Sequence, residues 1–296
     1  MPFQHAFLPE TVCLEARGAD AATFLHAQLS RAVADLDFGL APLAAWADPR
    51  GRVRALLRVL RLPERWLLLT PRDGADELLK RLGMFVLRSK VTLALADDVR
   101  VMALLGDGDE WLASRGVRMA DAAPNRLVRS GDVAFVRVGP SYWQALGEPA
   151  TLVSLTEGLG GASAAEASLA EIRLGIPAIT RALAEHFVAQ MLNLDALDAI
   201  SFDKGCYPGQ EIIARVRNLG GVKRRARRYG SPAEPPAVGA ALLANGTQVG
   251  EVVRSAPARF GSELLAVIEH DAADKPLTCS GAPLAELDLP FAVPRD

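Results

Sequence analysis

The stretch that follows "NLGG" (residues 218–221) most constrains what this chain folds into. It contains four short apolar segments, broken by Gly, Pro and an "NG" turn signal: "RRARRYGS", "GAALLANGTQVGEVVRSA", "ELLAVIEH" and "PLTCSG". Short strands punctuated in this way are typical of small all-β barrels, and "NG" between apolar runs is a strong hairpin signal. The sequence therefore predicts a β-barrel domain over residues 221–296.

The first 98 residues instead alternate extended and helical signals. Strands are predicted at "TVCLEARG", "LAPLAAWA", "RVRALLRVLRL", "RWLLLTP" and "KVTLALAD". Helices are predicted at "DAATFLHAQLSRAVADL", where Asp20 is the expected cap, and at "GADELLKRLGMFVL". This order suits a split βαβ sheet with helices on one face.

Residues 99–220 repeat the mixture and form a second predicted segment. Strands are expected at "VMALLG" and "ATLVSL", and a hairpin at "RLVRSGDVAFVRVG". Helices are expected at "DEWLASRG", "AAEASLAEIRLG" and "LAEHFVAQMLNLDAL". The predicted domain boundaries are therefore 1–98, 99–220 and 221–296.

Composition excludes several classes of protein. Half of the 296 residues are apolar and the formal net charge is −2, which argues against disorder and against a globally basic nucleic-acid-binding surface. No apolar run approaches the ~20 residues of a membrane-spanning helix, and the N-terminus lacks a signal-peptide pattern, so a cytoplasmic protein is expected. The three cysteines form no CxxC or Cys/His cluster, so neither a disulfide framework nor a metal site is predicted.

The most informative short motif is "FDKGCYPGQEIIAR", residues 202–215. If a helix begins near Pro208, Cys206 lies just before a positive helix N-terminus and close to Lys204, and both effects favour the thiolate. The helical face would contain Ile212, Ile213, Val216 and Leu219. A strand is the alternative, because Ile212, Ala214 and Val216 also alternate with charged residues. From the residues alone, a small buried hydrophobe is another interpretation of Cys206.

The motif resembles the KGCYxGQE signature of the YgfZ family, folate-binding proteins related to the T-protein (aminomethyltransferase) of the glycine cleavage system. Further similarity lies in "GADAATFLHAQLS", "DPRGRV", "IRLGIPAI", "FVAQMLNLDAL" and "ISF". The resemblance implies an α+β fold, a three-domain cloverleaf of mixed α/β (ferredoxin-like) units around a folate pocket. Residues 1–98 and 99–220 would be two intertwined subdomains of the folate-binding module, and 221–296 the β-barrel.

The resemblance also implies roles for individual residues. Cys206 would be the functional thiol, with Lys204 beside it. The other signature positions are Gly205, Tyr207, Gly209, Gln210, Glu211 and Arg215. Folate-binding residues would be Arg52, Arg173, Gln190 and Asn193. The alternatives are a solvated arginine at 52, a surface cation at 173, and a helix cap and satisfied amide at 190 and 193.

The implied function is that of a folate-binding accessory protein. It would support iron-sulfur cluster assembly or maintenance and, through iron-sulfur enzymes, tRNA modification. The implied cofactor is tetrahydrofolate or a derivative, and the implied partners are iron-sulfur proteins or assembly factors. We expect indirect rather than direct tRNA contact, no membrane contact and a monomer.

The alternative is a tetrahydrofolate-dependent aminomethyl transferase, and the sequence leaves the question of enzymatic activity open. Where the T-protein resemblance implies a catalytic aspartate, the chain has the basic "RGRVRALLR", with Asp48 nearby. Arg173 stands where the T-protein, as aligned, has a pterin-binding glutamate. An arginine offers only hydrogen-bond donors, whereas the pterin amino group and ring N–H need acceptors.

A basic run lies between residues 215 and 228. It contains Arg215, Arg217, Lys223, Arg224, Arg225, Arg227 and Arg228. Basic clusters bind phosphates, so a tRNA-binding protein is a third hypothesis. Tyr229 is the one aromatic residue beside the run, and we favour a solvated face or a rim that attracts a folate polyglutamate tail.

Overall fold

A computed structural model describes residues 2–118, 121 and 123–294. Its helices are α1 (Ala21–Gln28), α2 (Arg72–Gly83), α3 (Asp109–Ser114), α4 (Pro149–Leu155), α5 (Ala164–Arg173) and α6 (Gln210–Leu219). Three short 3₁₀ helices cover Arg181–Leu183, Ala189–Leu192 and His270–Ala272.

The strands of the first half are β1 (Gln4–Phe7), β2 (Thr11–Arg17), β3 (Leu43–Ala47), β4 (Val53–Arg61), β5 (Trp66–Pro71), β6 (Thr92–Leu95), β7 (Arg100–Leu105), β8 (Leu127–Ser130), β9 (Val133–Gly139) and β10 (Tyr142–Gly147). Later strands are β11 (Gly160–Gly161), β12 (Arg224–Ser231), β13 (Ala241–Ala244), β14 (Thr247–Pro257), β15 (Ser262–Glu269), β16 (Leu277–Cys279) and β17 (Ala282–Leu287).

The chain divides into two compact units. The first comprises Met1–His26, Ala32–Ala44 and Leu57–Ala167, and the second Ala27–Arg31, Ala45–Leu56 and Ser168–Asp296. Segments distant in sequence thus share each unit. The boundaries predicted at residues 98 and 220 stay a prediction.

Two open sheets organise the first part of the chain. One has the strand order β11-β1-β7-β10-β9-β8, and the other β3-β4-β5-β2-β6. The six-stranded sheet buries an apolar face that includes Met102, Phe135 and Trp143, against Leu112 of α3 and Leu152 of α4. The predicted strands and hairpin of residues 99–139 are present as expected.

The C-terminal strands close into a barrel with the order β12-β15-β14-β13-β16-β17. Its interior is packed with buried side chains, among them Tyr229, Val252, Leu264 and Ile268. The "NG" signal forms the β13–β14 turn, with φ of +50° at Asn245 and +79° at Gly246. Two positive φ angles are what a two-residue hairpin turn of the primed type requires. The predicted mixed α/β fold with a C-terminal β-barrel is confirmed.

The strand predicted at "ATLVSL" is wrong, since these residues lie in helix α4. A six-residue apolar run does not by itself distinguish a strand from a buried helix. Pro149 occupies the first turn, where its fixed φ and missing N–H suit a helix start. The neighbouring strand β10, which the prediction missed, pairs with both β7 and β9.

The long helix predicted over residues 183–197 is also wrong. Apart from Leu183, which ends the preceding 3₁₀ turn, Ala189–Leu192 alone is helical there, also as a 3₁₀ turn. Glu185 and Asn193 have φ of +68° and +55°, which interrupts a right-handed helix twice. Helices α1 and α2 end at Gln28 and Gly83, earlier than predicted. No helix among the described residues is long and apolar enough to cross a membrane.

Candidate functional site

Residues 207–210 of the motif form a tight turn that leads into α6. The Tyr207 carbonyl accepts a hydrogen bond of 3.2 Å from the Gln210 N–H, and Gly209 has φ +80° and ψ −1°. Proline at the second position and a left-handed glycine at the third are the features of a type II turn. The helical interpretation of this segment is confirmed and the strand is wrong. Pro208, however, precedes the helix, and the side chain of Leu219 lies outside the described part.

Gly209 touches the "DPRG" turn of residues 48–51. A Cβ atom at Gly209 would lie 2.6 Å from the Asp48 carbonyl oxygen and 2.7 Å from the Gly51 Cα. A Cβ atom at Gly51 would lie 3.0 Å from the Ile212 Cβ, and Gly51 has φ +74°. The two turns therefore approach backbone to backbone at Gly209, where a Cβ does not fit, and both glycines have a positive φ that other residues adopt rarely.

Asp48 organises the turn on the other side of this contact. Its buried carboxylate accepts hydrogen bonds of 2.8 Å from the Arg50 and Arg52 N–H groups. The second carboxylate oxygen accepts one of 3.2 Å from Arg52 Nε. Both oxygens are thus engaged within their own turn. Arg52, predicted to bind folate, is partly exposed and tied to Asp48.

Lys204 anchors the beginning of the motif. Its Nζ donates hydrogen bonds of 2.6 Å to the Leu29 carbonyl and 3.3 Å to the Arg31 carbonyl. It also lies 4.9 Å from the centre of the Tyr207 ring, within range of a cation–π interaction. Burial lowers the pKa of Lys204 from its ordinary 10.5 to about 8. The ammonium is therefore held by carbonyl dipoles and a ring face at a site that disfavours charge.

Cys206 lies between these anchors and is exposed. The loop that carries it is closed by a hydrogen bond of 3.2 Å from Gln210 Nε2 to the Lys204 carbonyl. Cys13 and Cys279 are buried, and burial raises the pKa of both thiols, that of Cys13 to about 12. The interpretation of Cys206 as a buried hydrophobe is wrong. That the helix and Lys204 favour its thiolate stays a prediction.

Two further signature positions, Glu211 and Arg215, are on the first turns of α6. Glu211 and Arg215 form an exposed ion pair of 3.2 Å across one helical turn, an arrangement worth about 0.3–0.5 kcal/mol at most. Ile213 faces inward and is fully buried. Among the described residues, no group of three or more His, Cys, Asp or Glu is arranged to hold a metal ion.

Gln190 and Asn193 lie at the 3₁₀ turn beside α6, and both are buried. Gln190 Nε2 donates to the Ile213 carbonyl at 2.6 Å, and Asn193 Nδ2 donates to the Ala226 carbonyl at 2.8 Å. Gln190 Oε1 and Asn193 Oδ1 have no hydrogen-bond partner within the described structure. An unpaired buried acceptor lowers the stability of the folded protein, so a ligand that donates hydrogen bonds to these two oxygens would bind favourably. The alternative of fully satisfied amides is wrong.

Arg173 lies at the end of α5 and is bound to the barrel strand β15. Its guanidinium contacts the Glu263 carboxylate at 2.7 Å, and Arg228 contacts the same carboxylate at 2.7 Å. The two cations hold the pKa of Glu263 below its ordinary value despite burial. About half of the Arg173 side chain stays exposed, and its predicted folate contact stays a prediction.

The basic run is largely neutralised by acidic partners. Arg225 is buried and pairs with Asp195 at 2.8 Å, while Arg227 is nearly buried and pairs with Glu286 at 2.6 Å. Arg224 pairs with Glu269. The interpretation as a solvated face is wrong for Arg225 and Arg227. Sequence reasoning missed Asp195, because its role depends on an arginine thirty residues away.

The chain is similar to known proteins in sequence and in fold. No protein-family model matches the chain. Curated proteins named tRNA-modifying protein YgfZ match it, from Colwellia psychrerythraea (29% identity, 92% of this chain and 89% of that protein) and Sodalis glossinidius (28%, 99% and 94%). The protein of that name from Klebsiella pneumoniae is 32% identical over 70% of this chain and 65% of its own.

Among solved structures, the glycine cleavage system aminomethyltransferase T from Bartonella henselae matches 99% of this chain and 87% of its own, with a TM-score of 0.77 and 17% identity. The fold is therefore of the T-protein class. In sequence, the chain resembles the YgfZ proteins over most of its length, and the predicted resemblance to that family is confirmed.

The glycine contact gives the first prediction. Gly209→Ala places a Cβ against Asp48 and Gly51 at a positive φ, so we expect the free energy of unfolding to fall by at least about 1 kcal/mol. Gly205→Ala is the control, because a Cβ there meets no atom within 4 Å. Urea titrations of both variants test this. Equal stability of the two would contradict the backbone contact.

The second prediction concerns Lys204. Its lowered pKa means that the folded protein binds fewer protons than the unfolded chain between about pH 8 and 10.5. Stability relative to Lys204→Met should therefore rise as pH increases through that window, and stay constant below it. Urea titrations of both proteins across this pH range measure the difference. A difference independent of pH would show that Lys204 is not held in a site that disfavours its charge.

Proposed function

We propose that this protein binds a folate and supports tRNA modification, acting through iron-sulfur proteins with Cys206 as its functional thiol. The names of the relatives and the T-protein fold support a folate-related role in tRNA modification. The names of the relatives do not mention a functional thiol or iron-sulfur proteins. That part of the proposal rests on the geometry of residues 202–215.

The exposed position of Cys206 is the observation that carries the proposal. A cysteine that only filled space would be buried, as Cys13 and Cys279 are. Cys206 instead lies on a loop fixed by Lys204 on one side and by the Gly209 turn on the other. An exposed thiolate on a fixed loop can attack a partner's disulfide, forming a mixed disulfide as the partner's other sulfur leaves as a thiolate, or it can ligate the iron of a partner protein.

The two unpaired amide oxygens support the folate part of the proposal. A pterin ring presents an amino group and ring N–H donors, which need acceptors. Gln190 Oε1 and Asn193 Oδ1 are buried acceptors that have no donor in the described structure. Asn193 directly follows the 3₁₀ turn that contains Gln190, so the two acceptors belong to one short segment of chain. We therefore assign the pterin to these two residues, and the negatively charged tail to Arg52 or Arg173.

Aminomethyl transfer is the less favoured function. It needs a carboxylate near the reacting amine, and Asp48, which lies near the expected position in sequence, has both oxygens bound within its own turn. Direct tRNA binding through residues 215–228 is also less favoured, because Arg224, Arg225, Arg227 and Arg228 are paired with carboxylates. Indirect action on tRNA fits the neutralised run better.

If Cys206 is the functional thiol, its removal should abolish the support of iron-sulfur enzymes without affecting folate binding. Cys206→Ala should keep its fold and its folate affinity, yet lose the ability to restore activity of an iron-sulfur tRNA-modifying enzyme in a strain that lacks the protein. Cys279→Ala is the control for thiol loss as such, because that thiol is buried in the barrel. Quantifying the modified nucleoside in tRNA measures the outcome. Full restoration by Cys206→Ala would refute the thiol role.

The acceptor role is tested by Gln190→Met, which removes the unpaired oxygen at similar volume. We expect the dissociation constant for tetrahydrofolate to rise at least about tenfold in calorimetric titration, or about 1.4 kcal/mol. Gln144→Met is the control, since Gln144 is an equally buried amide in the first unit. It should lose stability without losing folate affinity. Unchanged affinity in Gln190→Met would refute the assignment of the pterin.

A further inference from the structure

An apolar loop follows α2 in the first unit. Residues 84–87 have the sequence "MFVL", and the exposed fractions of Met84, Phe85 and Leu87 are 69%, 43% and 88%. Single exposed apolar residues are normal on a protein surface, but three large ones within four residues mark a surface that contacts something other than water. Neither the proposed thiol chemistry nor folate binding uses this loop.

The segment that carries the loop is cationic. Residues 78–96 contain four cations and no carboxylate. Arg81 pairs with Glu77, one turn earlier on α2. The other three are exposed and make no ion pair within the part of the chain that the structure describes: Lys80, Arg88 and Lys90. The free charge of this segment is therefore positive.

Carboxylates meet this segment at its two ends. At one end, Asp76 and Glu77 belong to the turn of α2 before Lys80. At the other end, the Asp20 carboxylate accepts a hydrogen bond of 2.7 Å from the Lys90 N–H. The exposed apolar residues lie between these ends and are flanked in the chain by arginines.

The loop has a defined backbone. The N–H groups of Met84, Phe85 and Val86 donate to carbonyls three residues earlier, and the Ser89 N–H donates to the Val86 carbonyl at 2.7 Å. Leu87 has φ +43°, a conformation that residues other than glycine rarely adopt. The side chain presented in this way is the most exposed large apolar one among the described residues. An unfavourable backbone conformation that persists commonly marks a functional surface.

An apolar loop among free cations matches the surface of an anionic lipid bilayer. Acidic headgroups attract lysine and arginine, and the acyl region beneath them accepts apolar side chains. A bilayer is fluid, so it needs no pocket shaped to receive the loop. RNA would match the cations, but single-stranded nucleic acid binds through stacked aromatic rings, and only Phe85 of the three exposed side chains is aromatic. An acidic protein would match the charge and would have to supply an apolar pocket of its own.

We propose that residues 80–90 bind the surface of an anionic lipid bilayer. The exposed apolar side chains of residues 84–87 insert between the headgroups, and the three free cations contact the acidic headgroups around them. The contact is peripheral and reversible, as a few apolar side chains and cations provide no permanent anchor. The sequence-based expectation of no membrane contact rested on spanning and signal segments, and it does not bear on a surface loop. The proposal is independent of the thiol and folate roles.

Flotation of the full chain with lipid vesicles tests the proposal. We expect binding to vesicles of phosphatidylcholine with about 30% phosphatidylserine, and at least about tenfold weaker binding to phosphatidylcholine alone. Leu87→Asn should weaken binding to the acidic vesicles at least about tenfold, because it removes one inserted leucine. Asparagine tolerates a positive φ, so the variant should stay folded, which urea titration checks. Phe260→Asn, at an exposed phenylalanine of the second unit, is the matched control and should bind like the wild type.

The cations are tested separately. Lys80→Gln combined with Arg88→Gln should weaken binding to the acidic vesicles and flatten its dependence on salt, because salt screens charges at the surface. The matched control is Arg259→Gln combined with Lys275→Gln, which changes an exposed arginine and an exposed lysine of the second unit. Soluble glycerophosphoserine should not release the bound protein, since a free headgroup offers no apolar layer to the loop.

A wild type that fails to bind the acidic vesicles would overturn the proposal, including the case in which the loop binds tRNA or an acidic protein instead. Equal binding to acidic and neutral vesicles would overturn it as well. So would binding that survives Leu87→Asn, binding that glycerophosphoserine abolishes, or a loss of binding in the control variants as large as in the loop variants.

Discussion

The contact between Gly209 and Gly51 determines the arrangement of the candidate site. Two turns that are 158 positions apart in sequence meet backbone to backbone, and Gly209 has no room for a Cβ at the point of contact. Gly209 also has the positive φ that the turn before α6 requires. Glycine at position 209 therefore meets three requirements: the positive φ of the turn, the start of α6 and the close contact with residues 48–51. The direction of α6 and the position of the Cys206 loop both depend on it.

Electrostatic interactions around the site mostly neutralise charges that burial would otherwise penalise. Arg225 with Asp195, and Arg173 and Arg228 with Glu263, are pairs in which removal of one partner would leave a buried or half-buried charge. Lys204 differs, because it contacts carbonyl oxygens and a ring face. The Gln190 and Asn193 oxygens are buried acceptors without a partner among the described residues, and both belong to the proposed folate site.

Local patterns predicted the barrel and most strands, because "NG" turns and alternating apolar residues act over a few positions. They failed at residues 149–155, where a short apolar run fits either element, and at 183–197, where helical spacing is interrupted by left-handed residues such as Asn193. The signature located the Cys206 loop. It did not identify the Leu29 and Arg31 carbonyls that hold the loop, because a backbone carbonyl is not revealed by the type of its residue. It did not identify Asp195 either, because Asp195 pairs with an arginine distant in sequence.

The central claim is that the fold presents Cys206 to solvent on a fixed loop while it protects the other two thiols. Alkylation of the native protein with iodoacetamide, followed by peptide mass spectrometry, tests this directly. The account predicts rapid modification of Cys206 alone, with Cys13 and Cys279 modified only when the protein is unfolded. Protection of Cys206 in the native protein, or modification of all three thiols at similar rates, would contradict it.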